Sequence, residues 1–135
     1  MRVLNFPARF EYLDEIRTYV GKQARAAGFS DKGIYSVQLA TDEAASNIIE
    51  HAYEGIPNGS IELTCEFEGD HLTITLLDHG KSFDPSNVDE PDIKADLSER
   101  KIGGLGIYLM HKLMDDVRYT STAAGNLLTL VKRKG

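Results

Sequence analysis

The chain has 135 residues, enough for one two-layer core but too few for two, so a single domain spanning residues 1–135 is expected. Hydrophobic residues make up 41% and charged residues 27%, which is ordinary globular composition and argues against disorder. Twenty-one acidic side chains against 15 basic ones give a formal charge of −6, a field that repels nucleic acid and anionic lipid and so excludes direct nucleic-acid or membrane-surface binding as the expected role.

In chain order, Arg2 to Phe6 reads as a short strand stopped by Pro7. From Tyr12 to Ala27, apolar Leu13, Ile16, Val20, Ala24 and Ala27 recur every three or four residues, and Gly28 suits the position after a helix end. Ser30 suits the N-cap of a longer helix running to about Tyr53. The period then changes to two: Ile61, Leu63, Cys65 and Phe67 alternate with polar residues. Beyond Gly69-Asp70, Leu72, Ile74 and Leu76 do the same, which predicts a hairpin with one buried face. Asp84 to Lys101 carries nine charged residues and two prolines without apolar periodicity, and is expected to be a mobile loop. A helix from Gly103 to Met114 and strands near Val117–Thr122 and Asn126–Lys132 complete the order. This order predicts an α+β, two-layer sandwich: a mixed, mostly antiparallel sheet with helices on one face. The lone Cys65 excludes an internal disulfide. With no apolar run of signal-peptide or membrane-span length, a cytoplasmic protein is expected.

Three clusters carry candidate chemistry. At about 100° per residue, Ser36, Glu43, Asn47 and Glu50 fall in one wedge of the long helix, opposite Ile34, Val37, Ala45, Ile48 and Ala52. The wedge is either a solvated helix face or a carboxylate one turn from an amide oxygen, an arrangement suited to a base beside a magnesium ligand. The second cluster, Asp78-His79-Gly80-Lys81-Ser82-Phe83-Asp84-Pro85, begins where an apolar strand ends on a carboxylate that requires a partner. Either it is an Asp-Gly turn, or Asp78 accepts a hydrogen bond from an exocyclic amine while Gly80 admits a flat ring. The third, Gly103-Gly104-Leu105-Gly106, opens a helix as a hinge or as a set of backbone donors for phosphate. Neither a P-loop signature nor a βαβ dinucleotide motif is present.

In this order and spacing, E-x-x-x-N, D-x-G-x-x-F and G-G-L-G-I-Y-L resemble the nucleotide site of the GHKL (Bergerat-fold) ATPase and kinase superfamily. Within that group, E-A-A-S-N-I-I-E-H-A-Y, D-H-G-K-S-F-D-P and L-M-D-D-V-R-Y most resemble the bacterial anti-sigma-factor serine/threonine kinases. The resemblance implies ATP and magnesium as cofactors, with Asn47 on the metal and Glu43 as the base that takes a proton from a substrate serine. It implies Asp78, Gly80 and Phe83 at the adenine, Gly104, Leu105 and Gly106 at the phosphates, and Arg100 and Lys101 near the γ-phosphate as the charged loop closes. Many members carry a threonine where this chain has Leu127. Thr129, on the same strand face as Leu127, is the substitute it offers at the nucleotide. Implied partners are a sigma factor, a STAS-domain anti-anti-sigma protein as substrate, and a second copy of the chain in a homodimer. Two other functions share these motifs: an ATP-holding anti-sigma switch with little kinase activity, and a histidine-kinase-like ATPase fragment. His51, His71, His79 and His111 lack metal-ligand spacing, and the aromatic residues read as core.

Overall fold

A computed structural model describes residues 2–82 and 104–134. Strand β1 (Val3–Pro7) leads through a 3₁₀ turn into helix α1 (Leu13–Ala26) and helix α2 (Asp31–Asn47). A π-helical turn, Ile48–Ala52, extends α2. Strands β2 (Ser60–Glu68) and β3 (His71–Asp78), helix α3 (Gly104–Leu113), and strands β4 (Asp116–Thr122) and β5 (Gly125–Arg133) follow. None of the described helices is long and apolar enough to cross a membrane.

Local signals set the helix ends. α1 stops where the Phe29 N–H reaches the Ala24 carbonyl and the Gly28 N–H reaches that of Arg25, the paired bonds of a Schellman motif. α2 starts where Ser30 Oγ accepts from the Gly33 N–H at 3.1 Å. The two helices are linked by Arg17, which donates to Asp42 at 3.2 Å, and by Gln38, whose amide donates to the Arg17 carbonyl.

The five strands lie in the order β1-β2-β3-β5-β4, and every pairing among them is antiparallel. The expected two-layer α+β arrangement is present, but no parallel pair occurs among the described strands. The chain leaves β3, passes through α3 and returns as β4 in the direction of β3; β5 then inserts between the two, antiparallel to both.

Alternation along the strands leaves one face covered. Ile61, Leu63, Leu72, Ile74, Leu76, Leu128 and Leu130 are buried against Ile16 and Val20 of α1, Val37, Ala40 and Ala44 of α2, and Met110 of α3. Each fully buried Leu or Ile contributes roughly 1.5–3 kcal/mol relative to exposure. Small residues along α2 let it lie between α1 and α3 as well as against the sheet. Its polar wedge is therefore only partly solvated: Ser36 and Asn47 are 5% and 6% exposed, Glu43 is half-buried, and Glu50 is exposed.

Candidate nucleotide site

The site forms where α2 ends, β3 ends and β5 begins. An apolar cleft is lined by Ala44, Ile48, Ala52, Met110, Tyr119 and Leu128, with Asn47, Asp78 and Lys81 supplying polar groups. Apolar walls with few convergent polar groups are what a flat heterocycle requires.

Asn47 occupies the last turn of α2. Its Nδ2 donates to the Glu43 carbonyl one turn back at 2.8 Å, and among the described residues nothing donates to its Oδ1. Among the described residues, no group of three or more His, Cys, Asp or Glu could hold a metal ion. A magnesium ion held through one protein oxygen, with phosphate and water completing its shell, fits this donor set. Glu43 lies four residues before Asn47, a rise of about 6 Å along the helix, and outside the cleft lining. Burial raises the pKa of its carboxyl above the ordinary 4.5, and the neighbouring negative charges of Asp42 and Glu50 raise it further.

Asp78 is 3% exposed at the end of β3, and its cost of burial is offset by two hydrogen bonds to one oxygen. Oδ1 accepts from the Gly80 N–H at 2.9 Å and from Asn126 Nδ2 at 2.8 Å. The first bond is the Asp-Gly turn that the sequence allowed. Turn and candidate ligand thus coexist in one residue, since among the described residues Oδ2 has no hydrogen bond.

Gly80 is required by the protein itself. A Cβ there would stand 2.2 Å from the Ala52 carbonyl oxygen, and the next N–H, of Lys81, donates to that oxygen at 2.7 Å. Gly125, at φ 136°, passes so close to β3 that a Cβ would lie 2.7 Å from the Asp78 carbonyl oxygen.

One expected site residue is misplaced. Thr129 pairs with Thr75, on the sheet face opposite Asp78, so it cannot reach the cleft. Leu127, two residues earlier on the same strand, shares that outer face and is 37% exposed. The register instead sets Asn126 directly across from Asp78, and Asn126 is 4% exposed. Tyr53 also exceeds its expected role as core: its hydroxyl donates to the Ser60 carbonyl at 2.7 Å and accepts from the His79 N–H at 2.8 Å. It thereby ties the end of the α2 extension to the turn after Asp78. Asn and Tyr in these places carry no local signature; only their partners reveal them. Gly104, Leu105 and Gly106 form the first turn of α3. Phe83, Arg100, Lys101 and the segment expected to be a mobile loop lie outside the described residues.

Residues 6–132 match the family model of the histidine kinase-like ATPase domain. The chain is 34% identical over 119 residues to a serine-protein kinase RsbW of Listeria monocytogenes, covering 85% of this chain and 76% of that protein. It is 32% identical over 124 residues to the serine-protein kinase RsbW of Oceanobacillus iheyensis, covering 85% and 75%. Among solved structures, the RsbU and RsbW domains of a Mycobacterium tuberculosis protein superpose with a TM-score of 0.64 at 17% identity, over 99% of this chain and 33% of that one. The catalytic domain of the histidine kinase ThkA gives 0.57 at 14% identity, over 99% and 97%.

Proposed function

The chain belongs to the histidine kinase-like ATPase family, and from that membership we propose that it is an ATP-dependent serine/threonine protein kinase acting as an anti-sigma factor. On this reading it binds a sigma factor, phosphorylates a STAS-domain antagonist on serine, and works in the cytoplasm as a homodimer with magnesium–ATP. The observation that carries the reading is the meeting of Asn47 and Asp78, from separate elements, on the walls of one apolar cleft.

Each group then has a task. Ile48, Ala52, Met110 and Leu128 pack on the adenine ring and exclude water from it. Asp78 Oδ2 accepts from the 6-amino group. Asn47 Oδ1 would hold magnesium, which would supply positive charge against the phosphates. Backbone N–H groups of Gly104, Leu105 and Gly106, at the positive end of α3, face the phosphates. Glu43 takes the proton from the substrate hydroxyl as its oxygen bonds to the γ-phosphorus and the bond to ADP breaks. Its raised pKa makes it a stronger base than an ordinary glutamate.

Incubating the protein with γ-labelled ATP, magnesium and candidate STAS-domain proteins tests the reading. Label is expected on a serine of one partner. Tight ATP binding without label on any partner that the protein captures would replace the kinase with an ATP-dependent binding switch.

A further inference from the structure

We infer that Asn126 is a positioning residue for base recognition: it pins one oxygen of Asp78 so that the other faces the cleft and selects a purine bearing an amine. The inference rests on the reading of the cleft as an ATP site and deepens it.

The amide of Asn126 is fully engaged. Nδ2 donates to Asp78 Oδ1 at 2.8 Å and to the Gly80 and Lys81 carbonyls at 3.0 and 3.3 Å. Its Oδ1 accepts from Ser121 Oγ at 2.7 Å. The three acceptors around Nδ2 fix which end of the amide faces Asp78, because a flipped amide would oppose its oxygen to the carboxylate and to both carbonyls, whereas the Ser121 hydroxyl can donate or accept. With Oδ1 held by Asn126 and the Gly80 N–H, rotating Asp78 would break two hydrogen bonds in a buried setting. Only Oδ2 remains for a ligand, and a carboxylate oxygen accepts but cannot donate. A 6-amino purine is matched; a purine with hydrogen at that position gains nothing from it, and a 6-oxo purine is repelled. Asn126 also holds the Gly80–Lys81 backbone, so the acceptor and the turn that frames it move as one unit.

Titration calorimetry on the full chain, with magnesium, compares ATP with purine riboside triphosphate, which lacks only the amine. The parent protein is expected to favour ATP by roughly 10–100-fold, the range for a hydrogen bond to a charged group. Asn126→Leu, of similar size, should reduce that ratio about tenfold while the amine-free nucleotide changes by no more than about threefold. If Asn126→Leu does not fold, Ser121→Ala decides: Ser121 is exposed, and loss of its hydroxyl should lower the ratio in the same direction. An unchanged ratio in the folded variant, or an equal loss of both nucleotides, would overturn the positioning role. A parent protein that binds both nucleotides equally would overturn the adenine placement itself, and the two failures are therefore separable.

Discussion

Glu43 carries its charge against opposition. Burial, then Asp42 and Glu50, disfavour its ionised form in the folded protein, so the native state holds that proton more tightly than the unfolded chain. The sign follows: its contribution to stability is greatest below the unfolded value and is lost as pH rises through the raised native one. On the proposed role as base, Glu43 becomes competent over that same interval, so stability and activity would trade in opposite directions. Glu43→Gln should therefore bind ATP normally and unfold at a slightly higher temperature near neutral pH, yet transfer phosphate about 10²–10⁴-fold more slowly. Single-turnover kinetics with a labelled partner and a melting curve check both halves; parental transfer rates would remove Glu43 as the base. The acid limb of the rate profile should also sit above the range of an ordinary glutamate. Asp78 behaves differently, because its partners are donors. Asp78→Asn places an amide before two N–H groups and weakens the acceptor facing the base, at a cost of about 1.5–3 kcal/mol in ATP affinity by calorimetry.

At the scale of elements, the junction between α2 and the turn after β3 decides whether the site exists. The Tyr53 N–H bonds the Ile48 carbonyl five residues back, the widened turn of a π-helix. The Ala52 carbonyl accepts from Lys81, and the Tyr53 hydroxyl spans Ser60 and His79. These tertiary bonds compensate a turn geometry that helix propensity alone disfavours. Gly80→Ala is the sharpest probe of the junction, since its Cβ would meet backbone that cannot step aside. Loss of measurable ATP binding is expected, with a fall in stability of about 1–3 kcal/mol by denaturant titration, the range for overpacking. Ser30→Ala, at the far end of α2, should cost about 1 kcal/mol by the same titration and leave ATP affinity unchanged. A variant pair with equal effects on binding would show that the site is insensitive to where α2 is disturbed.

For the molecule as a whole, a ligand that binds only the native state adds stability by mass action, about 2.7 kcal/mol at 100 times its dissociation constant. Magnesium–ATP should raise the melting temperature of the parent protein accordingly, and that of Asp78→Asn far less at the same concentration; equal shifts would place the nucleotide elsewhere. Much of this architecture was legible in the chain because its causes are local. The alternation of Ile61, Leu63, Leu72, Ile74 and Leu76 marked the β2–β3 hairpin, and Ser30 and Gly28 marked helix ends through bonds only a few residues long. Asn47 and Asp78 were named by their motifs, and the cleft unites them. What tertiary structure alone decided is the pairing of positions far apart in sequence. A strand's alternation divides its residues into two sets, but only its register with β3 tells which set of β5 faces the cleft. That register turned Thr129 outward and brought Asn126 to Asp78. In the same way, the π turn, the hydroxyl of Tyr53 and the need for glycine at position 80 depend on distant partners. Short-range spacing reports the periodicity of a chain, whereas a long-range hydrogen bond exists only once packing has brought its two ends together.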